Sequence, residues 1–439
     1  MLVPDDMNGQ TVGVLGLGGS GVAAVAALQA AGAHVVAFDD GKNQQDLPAI
    51  QMTDWRDWPW QNMAAMVISP GIPHLHPTPH PAAAHANSLE IEVISEVELA
   101  LRAKPQAQLV VVTGTNGKST TTALIGHCLA TAGRAHAIGG NLGDPACSLD
   151  DPGKDGVLVL ELSSYQLETT PSLAPDISIL LNISPDHLDR HGGMNGYIAA
   201  KAVVLDRLGA DCLAIIGDGD EHVKALAAAT RKRGIKTMIA SPDRAPDAQR
   251  HSASLAGLHN AENAAAAAFA LAALGLDMAM INRGVKSYSS LPHRLQTVAR
   301  CGKIQFVNDS KATNGVAAAK ALSAFDDIYW VAGGLAKQDG LAPAMQYLGA
   351  VKKAYLIGTA AAEFAKSLDG QCPAAICGDL EKATRAAFDD ASAAIDGGTI
   401  LLAPAAASFD QFTSFGARGD AFAALAQNLC ATTAGGNHA

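Results

Sequence analysis

The chain has 439 residues, a length that suggests about three domains. Apolar residues make up 49% and charged residues 17%, with mean hydropathy +0.14, so the sequence can fill real cores and a disordered chain is excluded. Lys plus Arg number 31 against 42 Asp plus Glu, a formal net charge of −11, which argues against a general binder of nucleic acid or anionic membranes and leaves phosphate chemistry to local sites.

Seven cysteines occur, an odd number with no CxxC pair, so neither a disulfide scaffold nor a structural zinc site is expected and a reducing cytoplasm fits best. Residues 11–38 carry no Asp, Glu, Lys or Arg. Gly13, Gly16, Gly18, Gly19 and Gly21 nevertheless break that stretch into a strand, a turn and an Ala-rich helix, which predicts a buried α/β unit and no membrane insertion.

The first block predicts strands at 11–15, 34–38 and 66–68, followed by a Pro-rich loop over 70–81. That loop holds His74, His76 and His80, and its prolines favour a rigid connection over a metal site. The second block opens near Glu96 with strands at 109–112, 157–160 and 177–183 and helices at 119–132 and 260–274; residues 241–250 read as a surface loop. The strands are continuous apolar runs of the kind buried on both faces of a parallel sheet. After a hinge at Leu291-Pro292-His293, the third block predicts strands at 304–307, 328–331, 354–357 and 399–402, each running into a polar or Gly-containing turn. Ligands of open α/β sheets bind beyond such strand ends. The tail from Ala431 is expected to fray. The predicted fold is α/β in three domains, 1–95 Rossmann-like, 96–290 P-loop NTPase-like and 291–439 Rossmann-like.

Between a predicted strand and helix lies Thr113-Gly114-Thr115-Asn116-Gly117-Lys118-Ser119-Thr120. Its glycines let backbone N–H groups converge on phosphate oxygens, Lys118 adds a point charge, and the Ser119 hydroxyl can ligate Mg²⁺. This is a P-loop with one departure, Val112 standing six residues before the Lys where Gly is usual. Glu161 ends a buried strand and is suited to hold Mg²⁺, although it could equally cap a helix. His187 lies in a polar turn and Lys201 on a helix, each with an equally plain structural role open to it. Gly16-Leu17-Gly18-Gly19-Ser20-Gly21 is a complete GxGxxG after a strand, with Asp39 at the end of the next, a geometry that cradles any diphosphate.

Together these motifs resemble the Mur ligases. The P-loop, Glu161, the segment 182–191 with Lys201, His259-Asn260 with Asn263, Leu291-Pro292-His293-Arg294, the run 308–314, Gly333-Gly334 with Lys337, and the run 404–412 stand in that family's order over essentially the whole chain. The runs 308–314 and 404–412, with Arg418-Gly419 and Phe422, look like the D-glutamate-adding branch. Folylpolyglutamate synthases share the Gly-Thr-Asn-Gly-Lys core but typically continue with Gly-Ser, where this chain has Ser119-Thr120.

The resemblance implies an ATP-dependent amide ligase of cytoplasmic peptidoglycan precursor synthesis, taking UDP-N-acetylmuramoyl-L-alanine and D-glutamate and acting as a monomer without nucleic-acid partners. It places Gly18, Ser20, Asp39, Ser69, Gly71 and Asn141 along the uridine diphosphate end. Gly114, Thr115, Asn116, Gly117, Lys118, Ser119 and Thr120 would hold ATP, helped by Asn260, Asn263, Arg294, Asp309 and Lys311. One Mg²⁺ would sit with Ser119 and Glu161 and a second with His187 and a carbamylated Lys201; Lys118, Glu161, His187 and Lys201 are the implied catalytic set. Thr313, Lys337, Ser408 and the Phe415 backbone would receive D-glutamate. Many relatives carry an acidic residue three positions after that Lys, where this chain has Gly340 with Asp339 just before it. Two other classes use part of the sequence. A nicotinamide-dependent dehydrogenase would use the GxGxxG but give the P-loop and third block no task, and a P-loop NTPase switch would need no amine acceptor.

Overall fold

The computed structural model describes residues 1–41, 50–336 and 340–435. The first sheet has four parallel strands, β1 (Thr11–Leu15), β2 (His34–Phe38), β3 (Met63–Ile68) and β4 (Glu92–Ile94), in the order β2-β1-β3-β4. The second has six parallel strands, β5 (Gln108–Thr113), β6 (His136–Gly140), β7 (Val157–Glu161), β8 (Ile177–Leu180), β9 (Leu213–Gly217) and β10 (Lys236–Ala240), ordered β10-β9-β8-β5-β7-β6. In the third, β11 (Gln296–Cys301), β12 (Ile304–Asn308), β13 (Ile328–Gly333), β15 (Val351–Ile357), β16 (Ala374–Gly378) and β17 (Gly398–Leu402) run β11-β12-β17-β13-β15-β16, while β14 (Leu335–Ala336) pairs separately with β18 (Ala406–Ala407). The chain is therefore the mixed α/β fold that its alternating pattern predicts.

The departures have physical causes. β11 is antiparallel to β12, and its alternation of half-buried and exposed residues gives an edge strand no continuous apolar run to betray it. The run 177–183 stops pairing at Leu180, where the chain turns to serve the P-loop. Of the tail expected to fray from Ala431, residues 431–435 continue helix Phe415–Gly435, whose Phe422, Ala426 and Leu429 are buried in the core, and the last four residues lie outside the described ones. Cys301 and Cys430, 129 residues apart, form a disulfide between β11 and that helix, a pairing the sequence reading did not expect because it joins elements far apart in the chain. His80 in the Pro-rich loop caps helix Pro81–Ser88, its Nδ1 accepting from the Ala82 amide at 3.1 Å.

The described residues form two compact units, Met1–His251 with Ala261–Ser287, and Ser252–Asn260 with the chain from Tyr288 on. In the first, one hydrophobic cluster runs from Val12 and Val14 through Val97 and Leu99 to Val111 and Leu160, so both of its sheets share a core. In the second, one cluster lies on each face of the sheet, with Trp330 and Leu401 on one and Phe306 and Leu402 on the other. Among the described residues no helix is long and apolar enough to cross a membrane.

Candidate active site

In the first unit the P-loop joins β5 to helix Lys118–Thr131. Gly114 and Gly117 take φ of +150° and +88°, and a Cβ on Gly117 would collide with the Asn263 side chain, so glycine is demanded by conformation and by space. Asn182, just beyond β8, fixes the loop. Its Oδ1 accepts from the Asn116 amide at 2.9 Å, its Nδ2 donates to the Asn116 carbonyl at 3.0 Å, and its own carbonyl accepts from the Thr115 amide at 2.8 Å. The Thr115 hydroxyl lies 3.0 Å from the Tyr197 hydroxyl.

Two lysines meet on one carbonyl. Lys118 Nζ and Lys201 Nζ each donate to the Gly114 oxygen at 2.9 Å. Lys201, on helix Met194–Asp206, is buried with its Nζ 4.8 Å from the Tyr197 ring centre. Burial, reinforced by the neighbouring Lys118 charge, holds its ammonium well below the ordinary value against the pull of Asp186 and Glu161. Glu161 is buried at the tip of β7. Its Oε1 accepts from Asn141 Nδ2 at 2.8 Å, and its Oε2 has no hydrogen-bond partner. Asn141 is thus tied to Glu161. His187 opens the 3₁₀ turn Leu188–His191 with φ +53° and lies 3.6 Å from Asp186.

The GxGxxG turn is built as its spacing suggests. Gly16 has φ +89°, and a Cβ on Gly21 would overlap the Gly16 carbonyl oxygen. Asp39 Oδ2 accepts from the Leu17 amide at 2.6 Å, and the Ser69 hydroxyl donates to the Gly16 carbonyl at 2.8 Å. Gly18 and Gly71 are exposed and Ser20 half-exposed around this turn.

In the second unit, Asp309 and Lys311 follow β12. Asp309 Oδ1 accepts from the Leu295 amide at 3.2 Å, and burial pushes its carboxyl up to about 7 against that hydrogen bond and the Arg294 charge. Lys311 Nζ lies 4.2 Å from the Phe415 ring centre. The Phe415 carbonyl accepts from the Ser310 hydroxyl at 2.8 Å. Thr313 follows in the same turn, its amide donating to the Lys311 carbonyl at 2.8 Å. Ser408 is buried and its hydroxyl has no hydrogen-bond partner. Asn260 donates to the Ala256 carbonyl at 3.0 Å. Lys337 lies outside the described residues.

Residues 112–251 match the Mur ligase middle domain and residues 293–406 the Mur ligase glutamate ligase domain. A UDP-N-acetylmuramoylalanine–D-glutamate ligase of Caulobacter sp. strain K31 is 42% identical over 453 residues, covering 96% of this chain and 97% of its own. The chain belongs to the Mur ligase family. A relative of the same name from Paramagnetospirillum magneticum is 44% identical over 443 residues, covering 96% and 97%. The fold is also that of the UDP-N-acetylmuramate–alanine ligase of Thermotoga maritima, with TM-score 0.58 at 17% identity over 95% of this chain and 99% of that one. A folylpolyglutamate synthase from Mycobacterium tuberculosis, solved with ADP, superposes with TM-score 0.56 at 17% identity over 75% and 93%.

For a Mur ligase, whose chemistry depends on ATP, the donor set also bears on metal. Among the described residues no group of three or more His, Cys, Asp or Glu could hold a metal ion. The Glu161 Oε2, which has no hydrogen-bond partner, and the hydroxyl of buried Ser119 are hard oxygen donors, which fits Mg²⁺ shared with nucleotide phosphates better than an all-protein cage. Three side chains that shape the site had no role assigned from the sequence, although the run 182–191 and Arg418 stand in the family motifs. Asn182 and Tyr197 brace the P-loop, and buried Arg418 donates to Ser310 Oγ and O, at 3.0 and 2.9 Å, and to the Ala406 carbonyl at 3.1 Å. Asn182 and Arg418 were legible only as members of family motifs, and nothing local marked Tyr197.

Proposed function

We propose that the chain joins the amine of D-glutamate to the carboxylate of UDP-N-acetylmuramoyl-L-alanine, with ATP as the energy source, in cytoplasmic peptidoglycan precursor synthesis. The observation that carries this reading is a P-loop whose lysine shares a carbonyl with a second, buried lysine that feels the charge of Glu161, whose Oε2 has no hydrogen-bond partner. A plain NTPase switch has no use for that second lysine. We assign residues 1–95 to the UDP-sugar, 96–290 to ATP and 291–439 to the amino acid, working as a monomer.

Making an amide from a carboxylate needs a better leaving group than oxide. The substrate carboxylate therefore attacks the γ-phosphorus of ATP, ADP leaves, and the acyl phosphate that results is attacked by the D-glutamate amine, expelling inorganic phosphate. Gly114, Thr115, Asn116, Gly117, Ser119 and Thr120 hold the phosphates, and Lys118 balances their charge. Asn260, Asn263, Arg294, Asp309 and Lys311 complete the ATP contacts. Ser119 and Glu161 would hold one Mg²⁺, and His187 with a carbamylated Lys201 a second; the metal supplies charge neutralisation at the phosphates. A depressed ammonium favours the neutral amine that reacts with CO₂, which supports the carbamate. Gly18, Ser20, Asp39, Ser69, Gly71 and Asn141 take the UDP-sugar. The unpartnered Ser408 hydroxyl, with Thr313, Lys337 and the Phe415 backbone, receives D-glutamate, which the protein orients toward the acyl carbon.

A phosphate-release assay tests the reading by omitting each substrate in turn and offering a panel of D- and L-amino acids. Release is expected only with the UDP-sugar and D-glutamate both present; equal release without an amine would favour the switch.

A further inference from the structure

We infer that Arg190 is a positioning residue that locks the UDP-sugar loop to the segment carrying His187. This deepens the assignment of the Gly16 and Ser69 turns to the UDP-sugar and rests on it. Three consecutive carbonyls of the loop after β3 converge on one guanidinium. Arg190 Nη1 donates to the Gly71 oxygen at 2.8 Å, and Nη2 donates to those of Ile72 and Pro70 at 3.0 and 3.3 Å. The guanidinium lies over the Tyr165 ring, 4.4 Å from its centre, while Nε is buried with no hydrogen-bond partner. A buried donor left unmet has a cost, so the arrangement gives up one bond to aim the two terminal nitrogens at the loop.

Both ends of this clamp are anchored. On the loop side, Ser69 holds the Gly16 carbonyl, so a shift of residues 70–72 would move the phosphate turn with them. On the other side, the Arg190 amide donates to the His187 carbonyl at 3.0 Å. The next residue, buried His191, lies 2.9 Å from the Ser164 hydroxyl and 3.1 Å from Glu168, and Ser164 stands three residues beyond Glu161. A nucleotide-sugar gripped at its diphosphate must present its carboxylate at a fixed distance, and Arg190 spans the two elements that set it. Only a planar fork reaches three carbonyls at once; a lysine ammonium is a single point on a flexible stem.

The test compares Arg190→Lys with Asp39→Ala and the wild type, measuring KM for each substrate, kcat and Tm. For Arg190→Lys, KM for UDP-N-acetylmuramoyl-L-alanine should rise about tenfold and kcat should fall, with the other two KM values and Tm near wild type. Tyr165→Leu, which removes the ring beneath the guanidinium, should shift the same KM in the same direction and carries the test if Arg190→Lys does not fold. If Asp39→Ala raises that KM while Arg190→Lys and Tyr165→Leu do not, the role of Arg190 is overturned and the nucleotide-sugar assignment stands. If none of the three raises it, the assignment falls and the inference with it. A uniform rise in all three KM values together with a lowered Tm would make Arg190 a structural brace only and overturn the inference.

Discussion

Lys201 shows how burial changes what a residue can do. An ammonium that shares a carbonyl with a second ammonium, away from water, is disfavoured as a cation, and a neutral amine can become a carbamate anion facing a metal. Lys201→Arg keeps a positive charge and cannot form the carbamate, so it should lose most turnover with an unchanged circular dichroism spectrum, as should Lys201→Ala. Near-normal activity in Lys201→Arg, with no added CO₂ mass on the wild type, would remove Lys201 from the site. Glu96 is a second buried group with a measurable consequence. Its Oε2 accepts from the Cys147 amide at 3.1 Å, its Oε1 has no partner, and burial raises its carboxyl from 4.5 to about 7. Between those values the folded chain binds more protons than the unfolded one, so its contribution to stability falls as pH rises through that window and then levels off. The shift corresponds to on the order of 3 kcal/mol. Glu96→Gln should flatten the decline in Tm between about pH 5 and about pH 8; an unchanged profile would assign the decline to other groups.

At the scale of elements, the two glycine-rich turns look alike in sequence but make different demands on their glycines. Gly117 has φ +88° and a Cβ there would strike Asn263, so Gly117→Ala should cost about 1–3 kcal/mol of stability and at least about tenfold in ATP affinity by calorimetry. Gly18 has φ −69° and a Cβ there would meet no protein atom within 4 Å. Gly18→Ala should therefore leave Tm unchanged and, under the proposed assignment of this turn to the diphosphate, weaken only the binding of the UDP-sugar. Titration with the UDP-sugar and with NAD separates the two readings of the turn. Saturable NAD binding without a response to the UDP-sugar would falsify the ligase assignment of the turn.

For the whole molecule, the decisive prediction concerns where an oxygen atom goes. If the substrate carboxylate attacks ATP, one of its oxygens leaves in the inorganic phosphate expelled when the amide forms. UDP-N-acetylmuramoyl-L-alanine labelled with ¹⁸O in that carboxylate should yield labelled phosphate, read by mass spectrometry. Unlabelled phosphate would mean that water attacks the nucleotide and that no acyl phosphate is made.

Local spacing made the α/β alternation, the P-loop, the GxGxxG turn and Glu161 at the end of its strand legible, because each needs only neighbours in the chain: apolar runs for buried strands, glycine for a tight turn, a charge at a strand tip. Order along the chain also placed it among the Mur ligases. The antiparallel edge strand β11 and the docked helix Phe415–Gly435 were not legible, since their apolar signal is partial until they meet the sheet. Nor were the pairings across long separations: Lys201 with Gly114 over 87 residues, Arg190 with Gly71 over 119, and Cys301 with Cys430 over 129. The sequence by itself determined which residue types stand at which strand ends. Only the tertiary structure decided which of them share a carbonyl, lose water or lock one loop to another, because burial and proximity are properties of the packed chain and set both the charge of Lys201 and the grip of Arg190.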